Sequence, residues 1–399
     1  MKRMMSLAAL GVVLACGTAA AQQVNVKIGV LTDMSSLYAD ATGIGSVIAA
    51  RMAAADFMKD HPNVKVEVVS GDHQNKPDIG SQIANQWYDV DHVDMIADVP
   101  NSGVALAISQ IASQKNKVFV ASGPASSDLT GPKCNANMVH WTYDTWMLAN
   151  GTGKAVVKTG GDTWFFLTSD YAFGHALERD TEAVVLKNGG KVLGKVRHPI
   201  NTNDFSSFLL QAQASKAKVI GLANAGGDTI NSIKQASEFG IVKGGQSLAG
   251  LLVFATDVAA LGLPTAQGLV LTETFYWDLN DQTRAFAKRM AAANNGKYPT
   301  MVQAGVYAGV LHYLKAIEAA KTDDGTKVVE QMKKMPTDDP LFGKGRIRAD
   351  GRKLHPAYLV EVKKPSESKG PYDYYKIRST IPADQAFRPE KDGGCELVK

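Results

Sequence analysis

From Val24 onward, short β-branched runs alternate with longer stretches whose apolar residues recur three and four apart. This is the pattern of strands interleaved with helices. Strands are predicted at residues 26–32, 64–70, 94–98 and 118–121, with helices over 45–59, 78–90 and 103–115. These βα units suffice for one doubly wound domain. The pattern then restarts, with strands at 164–168, 191–197, 219–223, 251–255 and 268–274 and helices near 173–188, 205–216 and 228–238. After Tyr276 come helices near 281–294, 301–320 and 327–334, with no strand between the first two, and then late strands at 347–363 and 374–377. Helices without a sheet of their own need a surface to pack on, so the economical path returns the chain to its first domain. The expected architecture is α/β: two doubly wound parallel-sheet lobes joined by a multi-crossing hinge. Lobe 1 takes residues 22–143 plus 276–348; lobe 2 and the C-terminal tail take 144–275 plus 349–399. No Pro- or Ser-rich linker separates them, and the tight aromatic join at 140–144 predicts lobes facing each other across a cleft.

The N-terminus reads differently. Lys2 and Arg3 precede an apolar stretch from Met4 to Ala15, and Ala19-Ala20-Ala21 forms a small-residue cleavage site before Gln22. That is the form of a secretory signal peptide over residues 1–21, and it predicts a periplasmic protein. Cys16 loosely imitates a lipoprotein acylation site, but Leu14 fits that signal poorly, so cleavage after Ala21 is expected over a lipid anchor. Removing the leader leaves two cysteines, Cys134 and Cys395, in a chain bound for an oxidising compartment. One disulfide is the simplest outcome; two unpaired thiols are the alternative.

Composition mainly excludes. Lys plus Arg number 43 against 39 Asp plus Glu in 399 residues, a formal charge of +4. A chain so close to neutral gives no reason to expect nucleic acid as a partner. The eight histidines include no H-E-x-x-H and no pair at ligand spacing on one helix face, so no metal is expected. No G-x-S-x-G elbow is present. Gly43-Ile-Gly45 and Gly151-Thr-Gly153 complete neither a dinucleotide fingerprint nor a P-loop, so no cofactor is expected. Neither catalytic residues nor enzymatic turnover are expected.

What the chain does offer is small, hydroxyl- and glycine-rich loops where strands hand over to helices: residues 32–38, 100–103, 122–130 and 223–229. At such points helix N-terminal N–H groups and Ser or Thr hydroxyls make anion sites, and in doubly wound sheets ligands sit beyond the strands' carboxyl ends. For any one loop, simple helix capping is the competing explanation. Aromatics punctuate the same turns: Tyr38, Tyr171, Phe173, and Phe275-Tyr276-Trp277. They suit either the walls of an apolar pocket or core packing. Asp228, after Gly226-Gly227, suits either a helix cap or an ammonium partner.

These loops resemble those of the branched-chain-amino-acid-type periplasmic substrate-binding proteins of ABC transporters, which are leucine-binding-protein-like members of the type I two-lobed binding fold. The similarity runs from Lys27 to about Val362. It rests on IGVLTDMSSLYAD, FVASGPASSDLTG, SDYAFGHALE, ANAGGDTINSIKQA and QAGVYAGV in that order. The resemblance implies that Asn101, Ser102 and the loop from Ser122 through Ala125 and Ser126 to Ser127 hold the ligand carboxylate and part of its ammonium. It implies an aromatic wall at Phe173 or Tyr171 and an ammonium partner at Asp228; Tyr38 and Tyr276, by their place at the turns, are the further candidates for the pocket wall. Leucine-type members carry Glu at that last position; the shorter Asp leaves more room. The expected role is a periplasmic receptor for a small carboxylate-bearing solute. That solute would be a branched-chain or aromatic amino acid, or a carboxylate or amide lacking the ammonium. The expected partners are ABC permease subunits, and the receptor itself is expected to be a monomer. A ligand sensor of the same fold is the alternative.

Overall fold

The computed structural model describes residues 24–399; the expected signal peptide and Cys16 lie outside them. Strands β1 (Val24–Thr32), β2 (Val64–Asp72), β3 (Met95–Asp98), β4 (Val118–Ala121) and β5 (Met138–His140) form a parallel sheet in the order β2-β1-β3-β4-β5. Every residue of β3 and β4 is buried, as expected of strands covered on both faces. Helices α1 (Gly43–Asp60), α2 (Pro77–Asp89) and α3 (Ser102–Gln114) connect the strands. Trp87 of α2 and Ile108 of α3 join Leu31 and Phe119 in the core on one face.

After β5 come α4 (Thr145–Leu148), a π-turn at Ala149–Gly153 and α5 (Lys154–Lys158). Strands β6 (Thr163–Ser169), β7 (Lys191–His198), β8 (Val219–Ala223) and β9 (Ser247–Gly250) form a second parallel sheet in the order β7-β6-β8-β9. Its helices are α6 (Ala172–Lys187), α7 (Ser206–Ala214), α8 (Gly227–Glu238), α9 (Ala255–Leu261) and α10 (Leu263–Ala266). In each sheet the strand order reverses beside the first strand, between β1 and β3 and between β6 and β8. That reversal opens a crevice at the strands' carboxyl ends.

Next come β10 (Val270–Glu273), α11 (Asp281–Ala293), α12 (Met301–Ala320) and α13 (Gly325–Lys334). Helix α12, buried on nearly every side, packs on α1 and β3, and α11 also lies against α1. Strands β11 (Thr337–Asp339), β12 (Gly343–Ile347) and β13 (Lys353–Leu354) make a small antiparallel sheet. Strands β14 (Ala357–Val362) and β15 (Tyr375–Ile381) join β10 in another, and α14 (Ala383–Ala386) precedes the tail. Cys134 and Cys395 are disulfide-bonded, with their Cα atoms 5.7 Å apart.

Several predicted elements change. The strand expected at 251–255 is β9 at Ser247–Gly250; the Leu-Leu-Val-Phe run is instead a buried loop, which hydrophobicity alone cannot tell from a strand. The strand expected over 268–274 is β10, and it pairs antiparallel with β14 rather than joining the parallel sheet. The long late strand breaks at a turn where Gly351 adopts a φ of 85°, which separates β12 from β13.

Candidate functional site

Both crevices open onto one cavity. It leaves about 10 Å³ free for the centre of a water-sized sphere and is lined by Tyr38, Thr42, Pro100, Gly123, Ala125, Tyr143, Tyr171, Phe173, Ala225, Leu252 and Phe254. The lining residues come from the segments that follow the carboxyl ends of parallel strands, β1, β3, β4 and β5 on one side and β6, β8 and β9 on the other, with Thr42 at the N-cap of α1. Neither a cationic nor an anionic side chain lines it, and five of the residues are aromatic.

The wall from lobe 1 is built around Asp33. Its buried carboxylate accepts from the backbone N–H groups of Ser36 (2.9 Å) and Tyr38 (2.8 Å) and from Asn75 Nδ2 (2.6 Å). That tight turn delivers Tyr38 to the cleft. Across it stands Tyr171, at the start of α6, and the two phenol oxygens hydrogen-bond to each other. Burial raises both phenols above their ordinary range, so both stay neutral at physiological pH. The ring of Phe173 lies 5.9 Å from that of Tyr171. The lobes also meet at Gly226, whose φ is 58°. A Cβ there would lie 2.4 Å from the carbonyl oxygen of Leu37, and the next amide, Gly227 N–H, donates to that carbonyl at 3.4 Å.

The other residues singled out from sequence divide by what they touch. Ala125, with Tyr38, Tyr171 and Phe173, lines the cavity. Asn101 caps α3: its Oδ1 accepts from Gly103 N–H (2.9 Å) and Val104 N–H (3.1 Å). Ser102 Oγ accepts from Ser126 N–H at 3.2 Å, joining the two loops. Ser126 Oγ accepts from Asp128 N–H at 3.4 Å. Ser127 turns toward α6, donating to Asp180 Oδ2 (2.7 Å) and accepting from Arg179 Nη2 (2.9 Å). Ser122 Oγ is buried with no hydrogen-bond partner, which marks an unspent donor and acceptor within the loop.

Asp228 is buried without lining the cavity, and its charge helps to raise the Tyr38 and Tyr171 phenols. Its Oδ1 accepts from Thr202 N–H at 2.9 Å and its Oδ2 from Asn201 N–H at 3.3 Å. Burial pushes its pKa up to about 7, against the opposing pull of those two amides. Tyr276 is not brought to the cleft: it sits in the second core, donating to the Tyr372 carbonyl at 3.0 Å and accepting from Tyr374 N–H at 3.2 Å.

Sequence reasoning missed Thr42, Pro100, Gly123, Tyr143, Ala225, Leu252 and Phe254. The only usable signal was the position of Pro100, Gly123 and Ala225 within loops already marked. Tyr143 lies in the aromatic join, and its hydroxyl donates to the Gly123 carbonyl at 2.8 Å. Behind Gly123 stands Asp98, also unanticipated. Its carboxyl fills the space that a side chain at 123 would take, with Oδ1 2.4 Å from the Cβ position. Neither carboxyl oxygen has a hydrogen bond of good geometry. Asp98 and Val99 take φ of 78° and 61°, a left-handed pair costing on the order of 1–3 kcal/mol each. Burial pushes the Asp98 pKa up to about 7, with Ser46 and Thr32 hydroxyls beside it. Among the described residues no three His, Cys, Asp or Glu side chains converge to hold a metal.

A family profile described as periplasmic binding protein matches residues 25–370. A crystal structure of a periplasmic binding protein from Burkholderia mallei is 52% identical, with a TM-score of 0.90, covering 94% of this chain and 99% of that one. A branched chain amino acid ABC transporter periplasmic ligand-binding protein from Burkholderia xenovorans LB400 is 40% identical, with a TM-score of 0.82, covering 94% of this chain and all (100%) of that one. The Leu/Ile/Val-binding protein homolog 6 of Brucella melitensis is 28% identical over 98% of both chains.

Proposed function

Because the chain belongs to the periplasmic binding protein family, we propose that it is the solute receptor of an ABC importer. In this reading it is exported to the periplasm and captures a small carboxylate-bearing solute between its lobes. It then hands the solute to permease subunits and acts as a carrier rather than an enzyme. Lobe 1 takes 22–143 plus 276–348, lobe 2 takes 144–275 plus 349–399, and the crossings between them form the hinge. The observation that carries the reading is the cavity itself. Its walls come from the strand ends of both sheets, so a solute filling it bridges the lobes and favours the closed form.

Within that site, Tyr38, Tyr171 and Phe173 enclose the body of the solute. The carboxylate faces Gly123 and Ala125 of the 122–126 loop, beside the N-terminus of α3 and its dipole. Closure excludes water and strengthens those fixed dipoles. The first reading of the solute is an amino acid, branched-chain or aromatic, with Asp228 holding its ammonium. One observation favours a second, an aromatic or aliphatic carboxylate without an amine: the Asp228 oxygens already accept from Asn201 and Thr202 and lie outside the cavity wall.

A thermal-shift screen of residues 22–399, refolded to strip carried-over ligand, tests both. Anything that binds only the folded state raises the midpoint by mass action. Shifts with L-leucine or L-phenylalanine, abolished in Asp228→Asn, support the amino-acid reading. Shifts confined to amine-free acids such as phenylacetate, unchanged in Asp228→Asn, support the second. No shift with any small carboxylate would sink the receptor assignment.

A further inference from the structure

The segment after α14 belongs to neither parallel sheet, yet it packs directly behind the cavity wall. Half-buried Arg388 donates from Nη2 to the carbonyls of Ser127 (3.0 Å) and Thr130 (3.5 Å). Those carbonyls sit on the short 3-10 turn, Ser127–Thr130, that continues the loop carrying Ala125. One residue earlier, buried Phe387 lies 4.6 Å beneath the guanidinium carbon of Arg352. Arg352 Nη1 in turn donates to the Tyr143 carbonyl at 2.9 Å, and Tyr143 is part of the wall. The segment is pinned on both sides of these contacts. Arg348 Nη1 donates to the Arg388 carbonyl at 2.7 Å, and Cys395 is bonded to Cys134, just past the same turn. The packing is close enough that a Cβ at Gly131 would lie 2.8 Å from both Arg388 Nη2 and the Gly393 carbonyl.

We propose that Phe387 and Arg388 are positioning residues for the solute site, held against the 125–131 loop and Tyr143 by a C-terminal tether that the Cys134–Cys395 bond closes. The first half of the loop is held from outside, with Thr145 N–H donating to the Ala125 carbonyl (2.8 Å), Ser126 N–H to Ser102 Oγ (3.2 Å) and Ser127 N–H to Thr145 Oγ1 (3.1 Å). In the second half the backbone bonds are local, such as Leu129 N–H to the Ser126 carbonyl and Gly131 N–H to the Asp128 carbonyl. Those local turns do not themselves fix the second half of the loop relative to the sheet, where the Asp128 side chain pairs with Arg179 at 2.9 Å. Arg388 adds an external restraint there, its guanidinium donating to the Ser127 and Thr130 carbonyls from outside the turn. A binding constellation is productive only when its parts are held to within about 0.5 Å, so a loop released from behind loses affinity at the front. This inference rests on the cleft being the solute site.

Three variants of the mature chain test it: Arg388→Met, Arg388→Lys and the double Cys134→Ser/Cys395→Ser. The first measurement needs no ligand. Amide exchange in 125–131 should speed up at least about tenfold in Arg388→Met and in the double variant, while β3 and β8 keep wild-type rates. Calorimetry with L-leucine and phenylacetate as probes should then show whichever probe the wild type takes bound at least about fivefold more weakly. Arg388→Lys should recover most of both effects, because an ammonium can still donate to the carbonyls. Wild-type exchange in 125–131 of Arg388→Met overturns the proposal, and so does faster exchange with unchanged affinity. If the wild type takes neither probe nor any other small carboxylate, the receptor reading fails and the inference falls with it, whereas exchange alone still reports whether Arg388 restrains the loop.

Discussion

Two buried carboxyls near the cleft have opposite surroundings, and this makes their consequences separable. Asp33 is saturated with donors and builds a turn; Asp98 lacks them and is pushed up to about 7 by burial. In the unfolded chain an aspartate titrates near 3.9, so between about pH 4 and 7 the folded state holds the Asp98 proton more tightly than the unfolded one. Stability from this group is fully present below about pH 4 and is lost as pH rises through about 7. Asp98→Asn removes that titration. The melting temperature of the variant relative to wild type should therefore climb between pH 5 and pH 8, and a pH-independent difference would show that Asp98 is not protonated in the fold. Sequence gave no hint of this residue. An aspartate at a strand end is ordinary, and its burial depends on Gly123, a neighbour brought in by β4.

At the scale of elements, α3 shows how a loop can serve two purposes. Asn101 was a candidate for ligand contact, and its side chain caps the helix. Asn101→Ala should cost about 1 kcal/mol of stability, the usual loss of a cap, visible as a lower denaturant midpoint, while solute affinity stays within about twofold. A large affinity loss at unchanged stability would instead return Asn101 to the site. The elements most legible in the sequence were β4 and β8, because a strand covered on both faces carries no charged residue along its length. Strand β5 has only three residues, too few to show any period. Residues 251–254 are apolar for a different reason: they leave β9 to put Leu252 and Phe254 into the cavity wall. The partners of Asp228 and Tyr276 were illegible because both are supplied by distant turns, Asn201-Thr202 and Tyr372–Tyr374, whose return to those side chains has no local signature.

Across the whole molecule, the lobes meet backbone to backbone at Gly226, where the Leu37 carbonyl leaves no room for a side chain. Gly226→Ala places a methyl group into that contact at a φ that disfavours L residues, by roughly 1–2 kcal/mol. The variant should bind solute at least about tenfold more weakly, and its scattering radius should stay that of an open form when solute is added. Full closure in the variant would show that the cleft shuts along another line of contact. The packing of α12 on α1 and β3 has a consequence for the order in which the molecule comes into being. A growing chain that has reached residue 275 holds every strand of the first sheet, yet the face beneath α1 is still bare. Contacts so distant in sequence make for slow folding, so the nascent chain stays uncommitted until its last third has been synthesised.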